Sequence, residues 1–242
     1  MKVAAKDRVI VALDVDTKGK ALELVRMLSP TVSWFKVGME LFSAEGPEVV
    51  RELTAAGAKV FVDLKFHDIP NTVAAAGAAI ARTGAAMFNV HCSGGREMMR
   101  GAVERVREAA LKEGFPVPLL IGVTVLTSMS QEVLTQEVGV QRELAAQVKS
   151  LAVLAQEAGM DGVVASPREI EPIRAACGSE FLIVTPGVRP VWAAKNDQHR
   201  VLTPGEAYRL GATHLVIGRP ITASADPREA CRKIISEMEE SQ

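Results

Sequence analysis

The segment VFVDLKFHDIPNT, residues 60–72, runs from an apolar strand directly into a cluster of charges. Charged side chains rarely end a buried strand, because removing an unpaired charge from water is costly. Residues two apart on a strand face the same side, so Asp63 and Lys65 are predicted to project together, with Asp68 in the loop beyond. Lys36, within a second apolar run, would complete a formally neutral Lys-Asp-Lys-Asp array. Such an array keeps its members ionised and can act on a substrate as a fixed electrostatic field.

Apolar runs of strand length recur along the chain, and segments of helical period such as Leu144–Ala158 lie between them. Eight strands alternating with helices in 242 residues favour a (β/α)8 barrel, the TIM barrel of the α/β class, as a single domain over residues 1–242. A doubly wound parallel sheet is the alternative. The predicted strands are Val9–Val15, Trp34–Gly38, Lys59–Phe66, Met87–Cys92, Leu119–Leu126, Gly162–Ala165, Phe181–Thr185 and His214–Ile217.

Three helical segments begin with a Ser, Thr or Asp that is followed three residues later by Glu. This spacing is typical of a capping box, in which each of the two side chains binds the backbone N–H of the other residue. Proline occupies the first helical position in each case, where its missing N–H costs little. The predicted boxes are Ser166–Glu169, Thr203–Glu206 and Asp226–Glu229.

The composition argues against several classes of protein. The chain is 48% hydrophobic, and 28 Lys and Arg residues nearly balance 29 Asp and Glu residues, which does not favour a nucleic-acid-binding surface. Cys92, Cys177 and Cys231 are scattered and odd in number, which argues against a disulfide framework or a zinc site. No segment has the pattern of a signal peptide or a membrane span. We therefore expect a soluble cytoplasmic protein with no nucleic-acid or membrane partner.

Polar residues collect at the carboxyl ends of the predicted strands, where barrel enzymes have their active sites. The last two loops form the usual phosphate site of this fold, because glycine allows close approach of the backbone and arginine binds the dianion. The connection over residues 187–202 is long enough for a lid or binding loop. Besides the charged array, the strand-end residues are Asp14, Thr127, Ser128, Gly187, Arg189, Gly218 and Arg219.

Two residues of the central segment have competing interpretations. Asp68 could cap the following helix, although Asn71 or Thr72 could do so instead and leave Asp68 free. His67 could serve as an acid or base, but a structural role is favoured because its neighbours are already charged.

The dipeptide His91-Cys92 suggests a nucleophilic couple. Adjacent strand residues face opposite sides of a sheet, so this interpretation is disfavoured. No His and carboxylate cluster has the spacing of metal ligands, and no metal site is expected.

The central segment resembles the signature D-x-K-x-x-D-I-x-N-T of the orotidine 5'-phosphate decarboxylase family, of the bacterial type. The resemblance covers nearly the whole chain, with Cys92 where a small residue such as alanine is expected. Related phosphate-binding barrels share D-x-K-x-x-D but not the full HDIPNT continuation. The other matching segments are Leu13-Asp14, residues 35–38, residues 89–91, residues 125–129, residues 185–189, Asp197-Gln198 with Arg200, and residues 217–220.

The resemblance implies decarboxylation of orotidine 5'-phosphate to uridine 5'-phosphate, the last step of de novo pyrimidine biosynthesis, without a cofactor. It assigns Lys65 as the proton donor, with Lys36, Asp63 and Asp68 completing the charged array. It also implies a homodimer in which Asp68, Ile69 and Thr72 reach into the partner's site. The alternatives are a Mg²⁺-dependent sugar-phosphate decarboxylase or aldolase of the same superfamily, and a non-catalytic sensor of a phosphorylated ligand.

The substrate-binding residues follow from the same resemblance. The ribose hydroxyls are assigned to Asp14, Lys36 and Thr72, and the pyrimidine edge to Ser128. Asp63, Ile69 and Thr127 also belong to the expected substrate-binding set. Phosphate is assigned to Gln198, Gly218 and Arg219, supported by Arg189. Because Gln198 lies in the long loop, that loop is expected to act as a closing lid.

Overall fold

Eight parallel strands close into a barrel in the order of the sequence, and β8 pairs with β1 to complete it. The computed structural model describes residues 4–193 and 202–241. The predicted (β/α)8 barrel is therefore confirmed, and the doubly wound sheet is wrong. The strands are β1 Val9–Ala12, β2 Trp34–Gly38, β3 Lys59–Phe66, β4 Met87–His91, β5 Leu119–Val123, β6 Gly162–Val164, β7 Leu182–Pro186 and β8 His214–Ile217.

Helices connect successive strands and cover the outside of the barrel. In the described residues they are α1 Lys18–Leu28, α2 Met39–Glu45, α3 Glu48–Ala55, α4 Pro70–Ala81, α5 Gly95–Glu113, α6 Leu144–Glu157, α7 Ile170–Cys177, α8 Pro204–Arg209, α9 Arg219–Thr222 and α10 Pro227–Glu240. Short 3₁₀ turns span Ala5–Asp7, Cys92–Gly94 and Pro167–Glu169, and a π-helical turn spans Val133–Glu137. None of the helices within residues 4–193 and 202–241 is long and apolar enough to cross a membrane.

Strands β2, β3 and β8 have the predicted bounds, whereas β1 and β5 end three residues earlier than predicted. The apolar runs continue past these strand ends because Leu13 and Val125 stay buried after the chain has left the sheet. Burial extends an apolar run without extending the hydrogen-bonded ladder. The sequence pattern therefore overestimates the length of both strands.

The inside of the barrel is filled by one residue from each of several strands. Trp34, Phe61 and Met87 belong to this layer, together with Ile10, Ile121 and Val184. Side chains two residues further along a strand face the same way, so the next inward positions are nearer the carboxyl ends. On β2, β3 and β4 those positions hold Lys36, Asp63 and Asn89. An apolar floor thus underlies a polar layer.

Two of the three predicted capping boxes are confirmed. Thr203 and Glu206 cap α8 reciprocally, and Ser166 and Glu169 do the same at the 3₁₀ turn before α7. At α10 the Asp226 carboxylate accepts from the N–H groups at positions 228 and 229, but its own N–H donates to a serine, so the predicted reciprocal box is wrong there.

Candidate active site

A chain of ion pairs crosses the carboxyl ends of the first three strands. The Lys36 ammonium lies 3.1 Å from Oδ1 of Asp14 and 3.6 Å from Oδ2 of Asp63. The Lys65 ammonium lies 2.7 Å from Oδ1 of Asp63. The predicted joint projection of Asp63 and Lys65 is therefore confirmed. Two ammonium groups alternate with two carboxylates, which leaves the group formally neutral.

Glycines at two strand ends lie against these charges. A Cβ atom on Gly38 would lie 3.0 Å from Nζ of Lys36, so a side chain there would press on the ammonium. A Cβ atom on Gly218 would lie 3.5 Å from Oδ2 of Asp14. The second contact places the start of the predicted phosphate loop beside the charged group.

The end of β3 is not a regular strand. Val62 pairs with Phe88 and Phe66 pairs with Val90, so four residue steps on β3 run beside two steps on β4. Lys65 takes up this excess with a left-handed backbone at φ 54°, which L side chains rarely adopt. The bulge lies at the predicted proton donor, and bulges commonly direct side chains at active sites.

Asn89 holds this bulge and is a site residue that the sequence analysis did not single out. It is fully buried on β4. Its Oδ1 accepts from the Lys65 N–H at 2.8 Å, and its Nδ2 donates to Oδ1 of Asp63 at 2.8 Å. The sequence contains one signal for this residue: Asn89 is a polar residue in an apolar strand, two positions after Met87 and therefore on the same inward face.

The electrostatics keep Asp63 charged. Burial on its own would raise the pKa of this carboxyl. The positive charges of Lys36 and Lys65, with hydrogen bonds from Lys65 and Asn89, outweigh burial and hold the pKa below its ordinary value. The site therefore presents an ionised carboxylate between two lysines at neutral pH.

Asp68 lies outside the charged group of its own chain. It is exposed, its Oδ1 accepts from the N–H of Ile69 at 2.6 Å, and it makes no ion pair with the described residues. Helix α4 begins at Pro70 without a side-chain cap, so the capping roles considered for Asp68, Asn71 and Thr72 are wrong. Within one chain, Asp14 supplies the second carboxylate. Ile69 and Thr72 are exposed beside Asp68.

His67 and His91 lie at the edge of the site, with their ring centroids 5.3 Å apart. Burial, followed by the neighbouring charges of His67 and Lys65, lowers the pKa of His91. Cys92 points away into the core, where burial raises the pKa of its thiol to about 12. A Cβ atom on Gly122 would lie 2.5 Å from its sulfur, so Cys92 fills space that this glycine leaves. A His-Cys nucleophilic couple is therefore absent from this pair.

Two cavities open near the strand ends. The first, of about 360 Å³, is lined by Arg189, Trp192 and Arg219, so it brings together the two predicted phosphate-binding arginines. The second, of about 920 Å³, is lined by Thr127 and Gly187 among others. Ser128 is exposed in the turn that follows β5, and Gln198 lies outside the described residues.

No cluster of three or more His, Cys, Asp or Glu side chains in the described part of the chain is arranged to hold a metal ion. The two carboxylates of the charged group, Asp14 and Asp63, are each engaged by a lysine. A divalent cation at this position would compete with an ammonium for the same oxygens.

Comparison with known proteins agrees with the geometry. The model of the family described as "Orotidine 5'-phosphate decarboxylase / HUMPS family" matches residues 7–234. The orotidine 5'-phosphate decarboxylase of Syntrophomonas wolfei is 57% identical over 237 residues, which cover 98% of this chain and 99% of that protein. The enzyme of the same name from Moorella thermoacetica is 55% identical over 239 residues, covering 99% and 95%.

A solved structure carries the same name. The orotidine 5'-phosphate decarboxylase of Lactobacillus acidophilus superposes with a TM-score of 0.85 at 40% identity, and the match covers 96% of this chain and 99% of that one. A family match over nearly all residues thus accompanies the barrel and its lysine–carboxylate group. The chain belongs to the orotidine 5'-phosphate decarboxylase / HUMPS family.

Proposed function

We propose that this protein is an orotidine 5'-phosphate decarboxylase, a carboxy-lyase that forms uridine 5'-phosphate in the last step of de novo pyrimidine biosynthesis. The observation that carries the proposal is the Lys65 ammonium, paired with Asp63 and backed by Lys36 at the strand ends. We place the activity in the cytoplasm and in one domain over residues 1–242.

The reaction breaks the bond between C6 of the pyrimidine and its carboxylate. The electron pair of that bond stays on C6, CO₂ leaves, and Lys65 delivers a proton to C6. The carbanion at C6 has no adjacent group to accept its charge, so a fixed cation must stabilise it. Lys65 serves as that cation, and stabilisation of this kind raises kcat because it acts as the charge develops. Solvent then reprotonates the lysine.

Asp63 has two effects in this scheme. Its carboxylate holds Lys65 in place at 2.7 Å. Its negative charge also makes the site unfavourable for the substrate carboxylate and favourable for loss of neutral CO₂. Fixing the ammonium supplies orientation, and misplacement of a reacting group by about an ångström can cost roughly a hundredfold in rate.

The phosphate of the substrate belongs in the cavity between Arg189 and Arg219. Two arginines facing one space of about 360 Å³ suit a dianion, because guanidinium groups bind phosphate oxygens in a planar, bidentate way. Gly218 lets the backbone approach. Gln198 is assigned to the same group from the family resemblance. Binding energy gained here is remote from C6 and can be used to organise the charged group.

The nucleoside lies between the phosphate cavity and the lysines. Asp14 and Lys36 are paired at 3.1 Å and can bind the ribose hydroxyls together. Gly218 lies beside Asp14, which connects this point to the phosphate end. Thr127 and Ser128, in the loop after β5, are assigned to the pyrimidine side.

We also assign a homodimer with shared sites. Asp68 and Thr72 are exposed, and Ile69 is 67% exposed although it is large and apolar. A second copy of the chain would cover Ile69 and bring Asp68 and Thr72 to the partner's lysines. A twofold axis makes this exchange reciprocal, so each dimer contains two complete sites.

The direct test follows the ultraviolet absorbance of orotidine 5'-phosphate with purified protein in excess EDTA. Loss of the orotate chromophore with formation of uridine 5'-phosphate is the expected result. Absence of turnover with retained ligand binding would indicate the non-catalytic sensor instead. Turnover of a sugar phosphate only when Mg²⁺ is restored would indicate the Mg²⁺-dependent sugar-phosphate decarboxylase or aldolase instead.

A further inference from the structure

We propose that Asn89 is a positioning residue for proton delivery, acting through the backbone of Lys65 and the carboxylate of Asp63. The inference rests on the proposed decarboxylation. Asn89 lies opposite the three residues of β3 that stand between the Val62–Phe88 and Phe66–Val90 pairs. Its side chain accepts a hydrogen bond from one of these residues and donates a hydrogen bond to another.

A carboxamide is the side chain this position requires. One end must accept from the Lys65 N–H and the other must donate to the Asp63 carboxylate, both at 2.8 Å. Aspartate has the same shape but donates only when protonated, and leucine can do neither. Asn89 is 0% exposed, so water has no access to replace a lost bond.

The backbone of Lys65 is what Asn89 stabilises. A left-handed backbone conformation is unfavourable for lysine and persists only where the surrounding structure fixes it. The bond from Asn89 Oδ1 fixes the N–H of Lys65, and the bond from its Nδ2 fixes the carboxylate that holds the Lys65 ammonium. One buried amide therefore positions both the backbone N–H and, through Asp63, the ammonium of Lys65. Losing that amide lets the ammonium shift from C6 while the phosphate cavity, which contains Arg189 and Arg219, stays intact.

The experiment compares Asn89→Leu and Asn89→Asp with Thr185→Val as a matched control. Thr185 is also fully buried on a barrel strand, and its hydroxyl has no partner within the described residues. We expect Asn89→Leu to lower kcat by about a hundredfold or more, as for a displaced reacting group. The inhibition constant of uridine 5'-phosphate reports ligand binding. It should change by less than about fivefold, which is small compared with the loss of kcat. Thr185→Val should match the wild type in both.

Asn89→Asp supplies a signature that a purely structural role would not produce. The added carboxyl can imitate the amide only when protonated, when it donates to Asp63 and accepts from Lys65. The ratio of its kcat to that of the wild type should therefore rise as the pH falls from about 8 to about 5, since burial beside a carboxylate raises a carboxyl pKa. The charged and titratable groups that face Asn89 from β2, β3 and β4 are Lys36, Asp63, Lys65 and His91, and all four are present in both proteins.

The proposal is overturned if Asn89→Leu keeps kcat within a few-fold of the wild type. It is also overturned if Asn89→Asp keeps kcat within a few-fold of the wild type at about pH 8, where the ionised carboxylate cannot donate to Asp63, and this result decides the matter even if Asn89→Leu fails to fold. A parallel loss of kcat and of uridine 5'-phosphate binding would indicate general disruption and would likewise refute it. Failure of the wild type to decarboxylate orotidine 5'-phosphate would instead refute the proposed function.

Discussion

The ammonium of Lys65 lies 2.7 Å from Oδ1 of Asp63, two residues earlier on the same strand, although the backbone of Lys65 is left-handed. Both side chains are largely withdrawn from water, at 26% and 16% exposure. A buried ion pair is weak support for stability, because desolvation offsets much of its attraction. The strained backbone and the withdrawn charges together suit a reactive group held in place for chemistry.

Replacing Lys65 separates the catalytic role of the side chain from the strain of its backbone. Lys65→Ala and Lys65→Gly should both abolish turnover, because each removes the cation and the proton donor. Glycine adopts a left-handed backbone without steric cost, whereas alanine does not. We therefore expect Lys65→Gly to be more stable than Lys65→Ala by about 1 kcal/mol. Turnover assays and denaturant unfolding of both variants provide the measurement.

Turnover and stability test the two roles of Lys65 separately. Near-normal turnover in either variant would refute the assignment of Lys65. A Lys65→Gly variant clearly less stable than Lys65→Ala would mean that the left-handed conformation at position 65 stores no strain that glycine could relieve.

Arg219 is expected to act through the phosphate. Arg219→Ala should reduce kcat/KM by roughly 1.5–3 kcal/mol in free-energy terms, or about ten- to a hundredfold, because it loses a charge-assisted hydrogen bond. A substrate analogue that lacks the phosphate should be turned over equally by the variant and the wild type. Steady-state kinetics with both substrates measures the difference.

Arg232→Ala is the matched control for charge. Arg232 is an exposed arginine of α10 whose guanidinium pairs with Glu229 at 3.4 Å, and it does not line the phosphate cavity. Its loss changes the net charge equally and should leave kcat/KM unchanged. If both arginine variants lost the same activity, the effect would be one of overall charge.

Mixing inactive subunits tests whether sites are shared. In a mixed dimer of Lys65→Ala and Asp68→Ala chains, one site combines the intact Lys65 of one chain with the intact Asp68 of the other. Complete random exchange should therefore restore about a quarter of the wild-type sites, since half of the dimers are mixed and each has one good site. Activity is measured after reversible dissociation of the mixture.

The matched control mixes Lys65→Ala with Asp63→Ala. These two residues are paired within one chain, so no exchange of subunits can create a site that has both. This mixture should stay inactive. Recovery in neither mixture would mean that Asp68 acts within its own chain, and recovery in both would contradict the intrachain pairing of Lys65 with Asp63.

The sequence was sufficient to predict the strand that carries the site, but not its register. The bounds of β3 and the joint direction of Asp63 and Lys65 follow from apolar patterning and the period of a strand. The bulge does not, because it depends on how β3 pairs with β4, and a single strand contains no information on its partner's register.

The partners of individual charges were harder to predict. The pattern of charges groups Asp68 with the lysines, and the family resemblance directs it into the site of a partner chain, but neither identifies the carboxylate that pairs with Lys36 within one chain. In the structure, Lys36 on β2 is paired with Asp14, which follows the neighbouring strand β1. Asn89 was not predicted as a site residue because a single uncharged amide in an apolar strand forms no charge pattern. Proximity across the barrel determines these contacts, and a linear pattern does not report it.

The opposite end of the barrel contains a buried histidine at the start of its last strand. His214 begins β8 and packs edge-on against Trp34, with ring centroids 5.5 Å apart. Burial, and then the positive charges of Arg8 and Lys59, lowers the pKa of His214 from 6.5 to about 4. The folded protein therefore keeps this imidazole neutral at pH values where the unfolded chain protonates it.

Stability should consequently fall as the pH decreases from 6.5 towards 4, because only the unfolded state gains this proton in that window. The full effect of His214 is about 3 kcal/mol, and above pH 6.5 it is absent. His214→Gln should flatten this part of the pH dependence of unfolding, measured by denaturant titration. An unaltered slope in His214→Gln would mean that the buried imidazole is not held neutral by the fold.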